Sequence, residues 1–287
     1  MKDYFGYQDK VCVVTGASSG IGKATTAILV ELGARVFALS KRPCPVAGIE
    51  KSVSVDLSQE TSIQEAFEQL PDSIDHFFGI AGLSGASTDY MTTFNVNYTA
   101  NMYITEHYLK KRMNQGGSIT FVSSMSGVAW KAHQDECDCI LGLTSWEAVQ
   151  AGMKTLIRED FPTTHAYLYS KRLLCAYACA ASNEFALQGV RVNTVLPGST
   201  DTGMRDEFAG MAGGMDNLVR YAGMAGRLAS SEEVGYPVVF LGSRMASFIS
   251  GAELVVDYCD NAMMIRKLKP EVCGGNAFSW GKNNDNR

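Results

Sequence analysis

Two rhythms of apolar residues alternate along the chain. Short continuous runs rich in β-branched residues predict buried strands, and seven are evident: "KVCVVTG", "ARVFALS", "SVSVDLS", "IDHFFGIAG", "GSITFVSS", "GVRVNTVLPG" and "GAELVVD". Between them, apolar residues recur every three or four positions, as on one face of a helix. The pattern from Ile21 to Leu32 is helical and Gly33 closes it. "SQETSIQEAFEQL" opens on a serine suited to an N-cap just after Asp56. Thr92 to Met113 predicts a long helix, and another carries Tyr167 and Lys171. Strands alternating with helices imply right-handed crossovers and a parallel sheet, hence an α/β fold.

Two segments interrupt that rhythm. Residues 128–164 form an insertion before the helix of Tyr167, with a helical stretch from about Ser145 to Glu159. Residues 203–226 are rich in Gly and Met and are expected to be flexible and adaptable. Neither a linker nor a repeat divides the chain, so residues 1–264 are expected to be one domain. The tail 265–287 reads as loosely structured.

Composition narrows the classes. The 287 residues are 46% hydrophobic and 19% charged, with a net charge of −5 and no dense Lys/Arg run. That balance suits a globular core and argues against nucleic acid or an anionic membrane as partner. No run reaches the roughly 18–20 apolar residues of a membrane span. The first residues lack an apolar stretch of signal-peptide length, so a soluble cytoplasmic protein is expected. Most of the eight cysteines sit in apolar settings and read as reduced thiols. "CDC" at Cys137 to Cys139 has no second cluster, so no metal site is expected.

Gly16, Gly20 and Gly22 lie in "TGASSGIG", directly after the first strand and at the start of the first helix. Glycines there permit a tight turn, close approach of backbone to a pyrophosphate, and free helix N-terminal amides facing its charge. Nucleotide binding follows from that placement rather than from the glycines alone. The GxxxGxG spacing after a threonine resembles the short-chain dehydrogenase/reductase family, in its single-domain branch, over about Lys10 to Asp257. The resemblance implies a doubly wound, Rossmann-type sheet and a nicotinamide cofactor. Its phosphate loop would be Gly16, Ser18, Ser19, Gly20, Ile21 and Gly22. Leu57, Ala81 and Gly82 would flank the dinucleotide, Asp56 would contact adenine, and Pro197, Gly198, Thr200 and Thr202 match the nicotinamide-side loop.

Tyr167 and Lys171 stand four apart, one helical turn, but such a pair is common by chance. The family resemblance supplies partners: a serine at the end of the preceding strand, Ser124 rather than Ser123 in "FVSSMSG", and an asparagine in the central helix, Asn97 rather than Asn95 in "FNVNYTA". Reduction of a ketone needs an acid working near neutral pH, and a free tyrosine has a pKa of about 10. Lys171 is expected to lower it. Ser124 would stabilise developing alkoxide charge. Asn97 would hold a water that connects Lys171 to solvent, and Tyr167 and Lys171 would also touch the cofactor.

The family's acidic residue at the end of the second strand selects NAD. Ser40 occupies that position here, followed by Lys41 and Arg42, so NADP(H) is expected over NAD(H). The chain departs from the family at Ile80, where an asparagine is usual, and at Asp257-Tyr258-Cys259 in place of a terminal DGG. The long insertion and "VLPGSTDTGM" are similar to bacterial 3α-hydroxysteroid dehydrogenase/carbonyl reductases. These resemblances imply a hydroxysteroid or bile-acid substrate and a homodimer or homotetramer. The alternatives are a broad carbonyl or acyl-thioester ketone reductase, or a Rossmann protein that senses NADP without chemistry.

Overall fold

The computed structural model describes residues 3–158, 160–220 and 222–266. Glu159, Tyr221 and the expected tail from 267 onward lie outside the described residues. Seven strands form one parallel sheet: β1 (Val11–Thr15), β2 (Arg35–Ser40), β3 (Lys51–Ser54), β4 (Ile74–Gly79), β5 (Met113–Val122), β6 (Arg191–Pro197) and β7 (Glu253–Val256), in the order β3-β2-β1-β4-β5-β6-β7. Strand order reverses between β1 and β4, so a crevice opens beyond the carboxyl ends of these two strands.

Both faces of the sheet are covered, which is why its strands are continuously apolar. In β1, Val13 joins one core with Phe37, Phe77 and Phe121, while Cys12 and Val14 join another with Val36 and Phe78. The second core is closed by helices Gly20–Glu31 and Ser231–Gly242. Ser230 and Glu233 form a capping box at the latter, a signal that the pattern Ser-x-x-Glu carries in the sequence. The first core lies under the central helix (residues 90–112) and the helix Thr163–Ala186.

The central helix contains two π turns, Asn95–Thr99 and Thr105–Leu109. Short polar side chains bond back to the helix there: the Asn101 amide donates to the Asn97 carbonyl (3.1 Å) and the Thr105 hydroxyl to that of Asn101 (2.7 Å). Such bonds accommodate a widened turn.

The insertion is more helical than its pattern suggests. A 3₁₀ segment Met125–His133 leads into helix Gln134–Leu141, and helix Trp146–Leu156 is capped by Ser145. Trp130, Cys137, Ile140, Trp146, Val149 and Met153 are buried in the first core, so this segment is an integral layer of it. Gly127 allows the 3₁₀ segment to seat on the Tyr167 helix, because a Cβ there would lie 2.7 Å from Cys175 Sγ and 2.8 Å from the Lys171 carbonyl. Within 203–226, helices Arg205–Met211 and Met215–Arg220 pack around Ala209, Ala212 and Leu218.

Candidate active site

A cavity of about 1240 Å³ occupies the crevice above β1 and β4. One end is built by the loop between β1 and the first helix. Gly16 has φ +71°, and a Cβ on it would lie 2.9 Å from the Ala81 Cα. A Cβ on Gly22 would lie 2.2 Å from the Gly16 carbonyl oxygen. Only glycine therefore permits this tight a turn, and the amides at the start of the helix carry no side-chain cap from Ser19. This shape and polarity fit a pyrophosphate. Gly16, Ser18, Ser19, Gly20, Ile21 and Gly22 all line the cavity, as do Ala81, Gly82 and Leu57 along its floor.

Ser40, Lys41 and Arg42 line it beyond the end of β2, and Pro197, Gly198, Thr200 and Thr202 line it beyond β6. The Ser40 hydroxyl donates to the Arg42 carbonyl (2.6 Å), and Lys41 pairs with Asp56 at 2.9 Å. Among the described residues no ion pair holds Arg42. Asp56 itself does not line the cavity, though its neighbours Val55 and Leu57 do, and its carboxylate accepts from the Ser58 amide (2.9 Å) and hydroxyl (2.7 Å) and binds Lys41.

The other end of the cavity gathers the candidate catalytic side chains. Ser124 is the N-cap of the 3₁₀ segment, and its oxygen accepts from the Ser126 amide at 3.1 Å. The two serines separate clearly: Ser123 donates to the Lys171 carbonyl (2.8 Å) and is tied to the helix, whereas Ser124 faces Tyr167. Lys171 is almost wholly buried, 5.8 Å from the Tyr167 ring centroid, and donates to the Val122 carbonyl (2.9 Å). Burial lowers its pKa to about 8.

Burial also raises the Tyr167 phenol above its ordinary value, opposed by the Ser124 hydroxyl. Desolvation of the phenolate is the larger of these two effects. The pocket wall therefore holds tyrosine in its acid form at neutral pH.

Asn97 lies beneath the cavity rather than in its lining. Its amide donates to the Leu83 carbonyl (3.0 Å) and to Ser170 Oγ (3.1 Å), and its oxygen accepts from the Leu83 amide (2.8 Å). Asn95 points instead to the insertion, accepting from Gln150 at 2.6 Å. Gly82 keeps a gap beside Asn97: a Cβ there would sit 3.4 Å from Asn97 Oδ1 and 3.5 Å from Lys171 Nζ. Both polar atoms thus border the same point beside Gly82.

Several lining groups carried no signal in the sequence. Glu207, in the 203–226 segment, accepts from the Ser87 hydroxyl (2.6 Å) and from that of Ser84, bridging the cavity mouth. Next to it, the Phe208 ring meets the Tyr167 ring edge-on at 5.4 Å. This segment is latched as a cover over the tyrosine. Glu207→Ala is expected to raise KM about three- to tenfold with kcat nearly unchanged, the loss of two partly solvated charge-assisted bonds. Steady-state kinetics on the variant would check this.

A doubly wound sheet with a glycine-loop nucleotide crevice, ending on a serine, a tyrosine and a lysine, defines a nicotinamide-dependent oxidoreductase. Comparison with known proteins agrees. Residues 10–135 match the short chain dehydrogenase family, and residues 153–258 match the family described as enoyl-(acyl carrier protein) reductase. The chain is similar to the coniferyl-alcohol dehydrogenase of Pseudomonas sp. (strain HR199 / DSM 7063), with 32% identity over 87% of this chain and 95% of that one. It is 24% identical to the 3-alpha-hydroxysteroid dehydrogenase/carbonyl reductase of Comamonas testosteroni, over 88% and 97% of the two chains. The solved 3-alpha-hydroxysteroid dehydrogenase of Pseudomonas sp. B-0831, complexed with NADH, shares the fold, with a TM-score of 0.73 at 23% identity over 90% of this chain and 99% of that one. The chain belongs to the short-chain dehydrogenase/reductase family and is an NAD(P)-dependent oxidoreductase. Among the described residues, no helix is long and apolar enough to cross a membrane.

Proposed function

We propose that this protein interconverts a secondary alcohol and a ketone with NADP(H), on a bulky and largely apolar substrate of hydroxysteroid or bile-acid size. The observation that carries this reading is the meeting of the Tyr167 phenol, the Ser124 hydroxyl and the buried Lys171 ammonium at one end of a cavity whose other end is the glycine loop.

When bound, the nicotinamide supplies or accepts the hydride. In reduction, the Tyr167 O–H donates its proton to the substrate oxygen, while the Ser124 hydroxyl hydrogen-bonds the same oxygen and stabilises its developing charge. Lys171 returns a proton to Tyr167, and a water held beside Gly82 between Lys171 Nζ and Asn97 Oδ1 would restore the lysine's proton from solvent. Phe208 and the cover it belongs to exclude water from the reacting oxygen. Met125, Val128, Leu168, Met204 and Phe208 give the substrate end of the cavity its apolar walls. The glycine loop would hold the pyrophosphate, and Tyr167 and Lys171 the nicotinamide ribose.

The preference for NADP(H) rests on Ser40 and Arg42. No carboxylate ends β2 to repel a 2′-phosphate, and Arg42 is better placed to meet one than Lys41, which Asp56 already engages. Arg42→Ala is expected to weaken NADPH binding about tenfold or more, the size of a lost charge-assisted bond, and NADH binding less than about threefold. Fluorescence titration of both nucleotides tests this. Equal losses for the two would remove the assignment.

The 32% identical coniferyl-alcohol dehydrogenase favours a second reading, oxidation of an aryl-substituted primary alcohol in the same site. Steady-state assays with 3-oxosteroids, hydroxysteroids and cinnamyl alcohols decide between them. Turnover of none of these would overturn both.

A further inference from the structure

Arg172 follows Lys171 on the helix Thr163–Ala186, and no step above uses it. Its side chain is only 8% exposed and lines the same cavity. Its Nε–H makes no hydrogen bond. The nearest acid is Glu136, whose Oε2 lies 3.9 Å from Nη1, beyond hydrogen-bond reach. Glu136 is itself 55% exposed and already accepts from His133 at 3.0 Å. A carboxylate that faces water at this distance is a screened partner, whereas the guanidinium has lost most of its hydration. Burial accordingly lowers the Arg172 pKa. Arginine is seldom buried without a well-bonded anion, and its planar fork is shaped for two oxygens at once.

The place of Arg172 in the cavity bears on which anion it would take. Val128, Ala129 and His133 line the cavity from the segment that begins directly after Ser124, and Leu168 and Arg172 face them from the helix. This wall runs on along the chain from Ser124 on one side and from Tyr167 on the other. Arg172 stands five residues past Tyr167, about 7.5 Å along the helix axis.

We propose that Arg172, with His133 beside it, recognises a carboxylate carried by the substrate. The enzyme then selects alcohols and ketones that bear an acid group remote from the reacting carbon. This rests on the alcohol–ketone reading above and narrows its substrate class. Glu136 competes with that carboxylate for the guanidinium.

The test is isothermal titration of the full chain saturated with NADPH, which cannot react with probes that carry no ketone. The probes are cyclohexanecarboxylate and deoxycholate, each against its primary amide, which keeps the shape and removes the charge. At least one acid is expected to bind about tenfold or more tightly than its amide, as for a charge-assisted pair. Arg172→Met is expected to bring that ratio to about one, and Glu136→Gln to widen it by removing the competitor. A ratio near one for both pairs in the wild type, absence of binding by both acids, or a ratio that survives in Arg172→Met overturns the proposal. If Arg172→Met fails to fold, Glu136→Gln decides: a wider gap supports the subsite, and an unchanged or narrower gap overturns it. Turnover is outside this readout. A kept gap without ketone reduction would remove the proposed function and leave the subsite, and turnover of neutral ketones without a gap would do the reverse.

Discussion

Replacing Lys171 with methionine is expected to abolish most turnover while making the fold more stable at pH 7. The ammonium is almost wholly buried, and burial lowers its pKa from 10.5 to about 8. At 1.36 kcal/mol per pKa unit, keeping it charged costs about 3 kcal/mol. Methionine has similar volume and no charge, so the penalty disappears. Against this, the Val122 carbonyl loses its donor, at a cost of about 1–2 kcal/mol. A net gain on the order of 1–2 kcal/mol remains. The sign of its pH dependence follows from linkage. Below about pH 8 lysine is protonated in both states and the penalty is fully present. Between about 8 and 10.5 the folded state releases its proton first, so wild-type stability rises with pH and the advantage of the variant shrinks. Urea melts of both proteins at pH 7 and pH 10 check this. A variant clearly less stable than wild type at pH 7 would refute the assigned penalty.

Replacing Tyr167 with phenylalanine is expected to lower kcat by about 10²–10⁴-fold, the usual worth of a positioned general acid. The ring keeps its edge-on contact with Phe208, so packing and cofactor binding should hardly change. Burial keeps the phenol protonated but makes it a weaker acid, so proton transfer from it depends on Lys171 remaining charged nearby. In the wild type, kcat/KM for ketone reduction should therefore be level below about pH 8 and fall as lysine deprotonates above it. Alcohol oxidation, which delivers a proton to the same pair, should rise towards that pH and then level off. Opposite slopes around one pH in the two directions are the signature sought.

Most of the fold was legible because parallel strands buried on both faces are continuously apolar. Val13 and its neighbours Cys12 and Val14 serve opposite cores, and no other element type explains such a run so economically. The glycine loop was legible for a steric reason, since Gly16 and Gly22 sit where a single methyl group would collide with backbone. The 3₁₀ segment and helix between Met125 and Leu141 are not legible in the pattern because their apolar residues, Trp130, Cys137 and Ile140, lack a sustained period. The helices within 203–226 were masked by glycines that read as flexibility but serve turns, as Gly213 does with φ +79°.

In the site, residue types and order pointed to Ser124, Tyr167 and Lys171, but pattern could not weigh desolvation. The direction of the Tyr167 shift depends on depth in the wall, which spacing along a helix does not encode. For Asp56, spacing along the chain does not encode the bonds its carboxylate makes to Ser58 and Lys41. Glu207 and Arg172 were invisible because each matters only through segments distant in the chain, Ser84 and Ser87 for one and the 125–136 segment for the other.

The most direct test of the central claim is a stopped-flow single turnover of NADPH with a 3-oxosteroid in wild type and Tyr167→Phe, each shown by titration to bind NADPH equally. The expected result is a rapid loss of NADPH absorbance in the wild type and its near-complete suppression in the variant. Equal transients in the two proteins would contradict the assignment of Tyr167 as the proton donor.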